Sequence, residues 1–256
     1  MVIRTLEYRK PEVNAFEASG FVLLPDLISH NELPRLRAEV DRLLSESDSR
    51  GGVRNVLAKS PDLHALATSG PPFRAAEALL GPGTRPTKLT IFDKTPRANW
   101  KVPWHQDLTL SVQEQKDVPG FGPWTIKDGV PHVQPPVVLL EQVIALRLHL
   151  DDTPAENGAL RVLPGTHKLG RLSNRRIASL RRETQEVVCA VSAGGAMIMS
   201  PLLLHASSAA EVPVRRRVLH FEFSAAGLPG GLEWGKGAHG SALESTAKGI
   251  GMQLGT

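Results

Sequence analysis

With 256 residues, 41% of them hydrophobic and 22% charged, the chain is long enough to bury a sizeable core and too evenly mixed to be disordered or fibrous. Its formal net charge of +4 comes with scattered arginines and no zinc-finger, basic-zipper or RNA-binding signature, so nucleic acid is not an expected partner. The single cysteine excludes an intrachain disulfide, the opening MVIRTLEYRKPEV lacks an apolar signal core, and no run of about 18 apolar residues could cross a bilayer; a soluble, cytoplasmic protein with no membrane partner is expected.

In chain order, Ser29 and Glu32 form a capping-box pattern ahead of Leu33, Leu36, Val40, Leu43 and Leu44, whose spacing predicts an amphipathic helix. A second helical stretch is expected over Pro61 to Leu80, stopped by Gly81, Pro82 and Gly83. After that strands dominate. Strand-like segments cover Lys88 to Lys94, Val102 to Leu110 and Val137 to Asp151. Between the last two, the Gly- and Pro-rich 111–136 segment reads as a loop that covers a pocket or merely elaborates the surface. Further strands are expected at Leu160 to Val162, Glu186 to Val191, Ala196 to Met199 and Arg217 to Phe223. Cys189, in an apolar run, reads as a small buried hydrophobe, and the arginine-rich Lys168 to Glu183 as a solvated helix. Many short strands separated by turn signals predict a mainly β single domain, a sandwich or jelly roll with flanking helices.

His105 and Asp107 stand two residues apart, which on a strand places both side chains on one face, where they can share a metal. Two histidines and one carboxylate are the set that holds non-heme Fe(II) with positions left open. The same spacing recurs in His149 and Asp151, and spacing alone does not choose between the copies. The second copy ends a strand in which Ile144, Leu146, Leu148 and Leu150 face one way and Arg147, His149 and Asp151 the other, which suits a polar lining or a satisfied structural pair equally. His205, after three leucines, is the remaining ligand candidate. Downstream, Leu219, Phe221 and Phe223 share one face, and Arg216, Val218, His220 and Glu222 the other. Arg216 either grips a carboxylate through paired hydrogen bonds or is exposed with Arg215 and Arg217.

Three stretches, Trp104-His105-Gln106-Asp107, LDDTPAENGALRVLPGTHKLG from Leu150, and LLHASS followed by RRRVLHFEF, resemble the phytanoyl-CoA dioxygenase family. Glu156, Asn157, Gly158, Leu160, Pro164, Gly165 and His167 all recur there. The resemblance implies a cupin-like double-stranded β-helix with outer helices in one domain: a helical part over about 1–84, the jelly-roll core over about 85–225 and a C-terminal extension over 226–256. It implies an Fe(II) site of His105, Asp107 and His205, with His149 and Asp151 left as lining. It also implies 2-oxoglutarate bound by Arg216 with Ser207 beside it, while Thr90, Lys94 and Arg147 fall at or near positions facing cosubstrate or substrate. With Fe(II), 2-oxoglutarate and O2, the implied reaction is hydroxylation of an unactivated carbon of a small molecule with release of succinate and CO2. Desaturation, epoxidation and cyclisation draw on the same centre, whereas Asp107 speaks against halogenation. Trp100, Phe121, Trp124, His132 and His149 are candidate substrate contacts. The rival readings are an inactive jelly-roll binding protein and a cupin-like zinc or manganese enzyme; a monomer or homodimer is expected.

Overall fold

The computed structural model describes residues 10–47, 51–211 and 214–235, so most of the expected C-terminal extension lies outside the described residues. Helix α1 (Lys10–Ser19) leads into strand β1 (Phe21–Leu24), neither of them marked by the sequence patterns above. Helix α2 (Leu33–Ser45) buries Leu33, Leu36, Val40 and Leu43 on one stripe. Ser29 and Glu32 do interact, the Ser29 N–H donating to the Glu32 carboxylate at 3.3 Å, but Glu32 is the cap residue and Pro34 favours the first turn that follows it. After β2 (Gly52–Val53) the expected Pro61 to Leu80 helix is two helices, α3 (Pro61–Ser69) and α4 (Pro71–Leu80). Gly70 between them is extended, and Pro71 and Pro72 lack the N–H groups that would carry the helix across.

The strands that follow are β3 (Arg85–Lys94), β4 (Val102–His105), β5 (Leu110–Ser111), β6 (Trp124–Lys127) and β7 (Val130–Val133). The expected Val102 to Leu110 strand therefore stops at His105, where the Asp107 N–H turns to the Pro201 carbonyl at 2.8 Å. The 111–136 segment is not loop throughout. β6 and β7 form a hairpin through Asp128 and Gly129, both at positive φ as a tight two-residue turn requires, and β5 pairs with β7. Helix α5 (Val137–Leu140), a single turn after Pro135 and Pro136, occupies the start of the expected Val137 to Asp151 strand, leaving β8 (Val143–His149). Then come β9 (Leu160–Val162), α6 (Asn174–Glu183), β10 (Val187–Cys189), β11 (Ala196–Met199), β12 (His205–Ser207) and β13 (Arg216–Ser224).

Among the described residues a six-stranded antiparallel sheet runs β1-β11-β8-β13-β3-β2 and a four-stranded one runs β10-β9-β12-β4. The jelly roll expected from the strand spacing is thus the fold. β1 and β2, from the part expected to be helical, form the edges of the larger sheet. Period-two alternation divides that sheet. Leu89, Ile91, Ile144, Leu146, Leu148, Leu219, Phe221 and Phe223 point outward into one core with α2, α3 and α4. On the inner face Ala145, Met197 and Met199 meet Leu160, Val162, Cys189 and Leu203 of the smaller sheet side. Burial pushes the Cys189 thiol up to about 12, as suits a small apolar filler. Helix α6 buries Leu180 and leaves its arginines solvated. No helix among the described residues is long and apolar enough to cross a membrane.

Candidate metal and cosubstrate site

Strand register brings the site together. His205 of β12 lies directly opposite His105 of β4, and the two rings are 4.2 Å apart at their centroids. Each Nδ1 sits 2.9 Å from the carbonyl two residues upstream, of Pro103 and Leu203 respectively. A carbonyl only accepts, so each Nδ1 carries a proton and each ring turns its Nε2 toward Asp107. Asp107 closes the triangle, with Oδ1 3.5 Å from His105 Nε2 and Oδ2 3.6 Å from His205 Nε2. One ligand atom from each of the three residues lies within 4.8 Å of the others. Burial lowers His205 to about 4, keeping it neutral. Burial opposes the charge on Asp107, but the neighbouring His205 and His105 hold its carboxyl well below the usual range.

Asp107 reaches this point by a turn, because it lies beyond the end of β4. Gln106 fixes the turn. Its buried amide donates to Gly170 O at 2.8 Å and Leu202 O at 2.7 Å, and its carbonyl accepts from the Leu172 N–H at 2.9 Å. Sequence reading gave Gln106 no role, although a glutamine inside a ligand motif is a signal for such an anchor.

The opposite wall is built from cross-strand partners. Arg216 pairs with Lys94, His220 with Thr90 and Arg147, and Glu222 with Lys88, all on β13 and its neighbours β3 and β8. These side chains line one cavity of about 270 Å3 with His105, Asp107, His205 and Ser207. Arg216 is buried, donates to the Gly158 carbonyl, and is pushed down to about 10 by burial and then by the charge of Arg147. Lys94 donates to Ser207 Oγ at 3.3 Å and Ser208 O at 3.2 Å. Burial, Arg216 and Arg147 lower it to about 8. Arg216 Nε, Arg147 Nε and Thr90 Oγ1 are buried without a hydrogen-bond partner. Orphaned polar atoms gathered on one cavity call for an oxygen-rich ligand. Beyond them runs a continuous polar chain: Arg147 donates to His220 Nδ1 at 3.2 Å, His220 Nε2 lies 3.6 Å from Glu222, and Lys88 donates to Glu222 at 2.5 Å. The alternation on β13 placed His220 and Glu222 on the polar face without assigning them a part, and Lys88 shares its parity with Thr90 and Lys94.

Of the candidate substrate contacts, Trp100 and His132 line this cavity. Phe121, Trp124 and His149 are not among its lining residues: Trp124 sits on β6 opposite Val133, and His149 is buried with Nδ1 on Thr153 Oγ1 at 2.8 Å. Asp151 is engaged by both Arg217 and Arg37. The second H-x-D copy is therefore a satisfied structural pair, not a lining one.

A two-histidine, one-carboxylate set between the sheets of a jelly roll defines a mononuclear metal-site protein of the double-stranded β-helix class. The sequence pattern described as phytanoyl-CoA dioxygenase (PhyH) matches residues 16–218, and the chain belongs to that family. It is similar to the ectoine dioxygenase of Stutzerimonas stutzeri (strain A1501), 26% identical over 171 residues, which are 61% of this chain and 49% of that protein. The ectoine dioxygenase of Halomonas elongata is 24% identical over 174 residues, 62% of this chain and 46% of that one. The chain thus spans about half the length of the curated relatives it matches. Among solved structures, the non-heme alpha ketoglutarate dependent carbocyclase SnoK from nogalamycin biosynthesis superposes with a TM-score of 0.67 at 18% identity, over 85% of this chain and 84% of its own. EctD from S. alaskensis with bound Fe gives 0.67 at 17% identity, over 88% and 79%. At these identities the structural likeness establishes the shared fold.

Proposed function

We propose that this chain is an Fe(II)- and 2-oxoglutarate-dependent dioxygenase that hydroxylates an unactivated carbon of a small molecule, with release of succinate and CO2. The observation that carries this reading is a buried Arg216, without a carboxylate partner among the described residues and with its Nε unsatisfied, in the same cavity as His105, Asp107 and His205. A metal site alone would serve a zinc or manganese enzyme equally. A buried cation left for a ligand favours a dicarboxylate cosubstrate beside the metal.

The donors fit the metal: two imidazole nitrogens and one carboxylate that face one cavity would suit Fe(II). The second sphere fits too, since the Pro103 and Leu203 carbonyls fix both ring tautomers before any metal arrives. When bound, Fe(II), 2-oxoglutarate and O2 supply the oxidising chemistry, coupling loss of CO2 from the cosubstrate to conversion of a substrate C–H into C–OH. The protein's share is positional. Arg216 offers a planar fork for the far carboxylate, and Lys94 and Ser207 offer a second charge and a hydroxyl on its flank. Trp100 and Phe92 give the cavity apolar surface that limits water around the reacting carbon.

The test is succinate formation by anaerobically iron-loaded protein given 2-oxoglutarate and then O2. Wild type and His149→Ala are expected to turn over slowly even without substrate, and His105→Ala and Arg216→Ala to make none. Wild-type protein that holds iron and 2-oxoglutarate yet forms no succinate with any candidate substrate would instead be the inactive binding protein.

A further inference from the structure

Six lysine and arginine side chains line the cavity against two carboxylates, Asp107 and Glu222. The reading above employs only part of that charge. Arg216 and Lys94 sit at one end of paired strands whose other end carries Lys88 and Glu222. Six residue steps along the strand separate Lys94 from Lys88, about 20 Å at the usual rise. A five-carbon diacid held by Arg216 cannot reach the far end, so the cations there await another partner.

At that far end Lys88 is neutralised by Glu222 at 2.5 Å. Lys127, on the β6–β7 hairpin, hangs over the same cavity with its ammonium 3.3 Å from Thr109 Oγ1 and, among the described residues, no carboxylate in ion-pair contact. Arg54, entering from beside β2, is held at the rim by an exposed pair with Asp128 at 2.8 Å, which leaves part of its fork free. The crowding shows in the electrostatics: burial and then the charges of Lys88 and Arg54 lower Lys127. His132 is lowered as well, by burial first and by Lys88 and Lys127 after it. Like charges facing a common cavity repel until an anion enters, and a low-dielectric wall strengthens the attraction when it does.

We propose that this end of the cavity is a second oxyanion subsite, in which Lys127 and Arg54, backed by Lys88, hold a carboxylate or phosphate group on the substrate. The inference rests on the preceding reading in that it treats the Arg216 end as taken by the cosubstrate. It makes the substrate an acid, anchored by its charged group at the hairpin with its reacting carbon toward Asp107 and the two histidines.

The experiment is calorimetric titration of the full chain, loaded with Mn(II) and saturating 2-oxoglutarate under nitrogen at low ionic strength. The probes are benzoate, phenyl phosphate and, as their neutral counterpart, benzyl alcohol. Both anions, or one, are expected to bind without displacing 2-oxoglutarate and at least about tenfold more tightly than the alcohol, the tighter one identifying carboxylate or phosphate as the natural group. The Lys127→Met/Arg54→Met variant should lose about tenfold or more, the scale of a charge-assisted hydrogen bond, and Lys127→Arg should retain binding, which excludes a folding failure as the cause. Anions that bind no better than benzyl alcohol, that compete with 2-oxoglutarate, or that bind the double variant as tightly as wild type overturn the proposal. Should 2-oxoglutarate fail to bind while the anions still depend on Lys127, the dioxygenase reading falls and the subsite stands.

Discussion

Replacing Arg216 by Met separates what the residue does for the fold from what it does for the ligand. Arg216 is 3% exposed and its guanidinium is lowered from its ordinary value to about 10, chiefly by burial and then by Arg147. That shift corresponds to about 3 kcal/mol by which the folded chain disfavours the cation relative to the unfolded one. The sign follows: a base whose folded pKa is depressed costs stability at every pH below about 10 and is relieved only above it. Against this stands the hydrogen bond to the Gly158 carbonyl, whose loss costs about 1–3 kcal/mol if the carbonyl is left unpaired. Met fills similar volume without charge, so Arg216→Met is expected to be neutral or up to about 2 kcal/mol more stable, changing Tm by nothing to a rise of about 8 °C in a chain of this size.

Ligand linkage should move the other way. Saturating 2-oxoglutarate with Mn(II) should raise the wild-type melting temperature, because a ligand that binds only the folded state stabilises it, whereas the variant should show no such rise beyond that given by the metal alone. Thermal unfolding with and without 2-oxoglutarate decides it. A variant that melts several degrees below wild type in the absence of ligand would mean that Arg216 is a structural residue satisfied by Gly158. A variant still stabilised by 2-oxoglutarate would refute the assigned grip.

Lys94, lowered to about 8, is cationic below that value and regains a higher pKa when a carboxylate binds. Wild-type affinity for 2-oxoglutarate, measured by calorimetry, should therefore fall as pH rises above about 8, and that of Lys94→Met should be weaker below 8 and flat across it. Asp151 accepts from Arg217 at 2.9 and 2.7 Å and lies 3.3 Å from Arg37, so Asp151→Asn should cost about 2 kcal/mol in chemical denaturation near pH 7. Burial opposes the Asp151 charge but Arg217 outweighs it and lowers the carboxyl; the stabilisation is full above the unfolded value of about 3.9 and fades as pH drops through the lower folded one, so the two proteins should converge in acid. Gly158 has φ +71, and a Cβ there would stand 2.8 Å from the Ser208 carbonyl. Gly158→Ala, strained by about 1–2 kcal/mol, should displace the carbonyl that orients Arg216 and weaken 2-oxoglutarate binding in the same titration.

Much of this site was legible because its residues obey short-range geometry. Period-two alternation along β13 separated Arg216, His220 and Glu222 from Leu219, Phe221 and Phe223, and the structure keeps that division: the first set faces the cavity and the second the helical core. Helix-breaking was legible in principle but overridden, since Gly70-Pro71-Pro72 interrupts an apolar period that continues on both sides. Pairing register between distant strands has no local trace. Nothing in the segment around His105 says that His205 will stand opposite it, and spacing could not rank the two H-x-D copies; the family resemblance did. The grouping of His105, Asp107 and His205 has a different physical basis from strand alternation, because Asp107 leaves β4 and returns through the Gln106 anchor. Arg54 and Lys127 mark the limit of such reading. Each is an exposed cation on its own segment, one beside a two-residue strand and one before a tight turn, and only the folding of that hairpin over β3 gives them a common cavity. What a charge can act on depends on what it is brought against, so the cavity that Arg54 and Lys127 share had to wait for the fold.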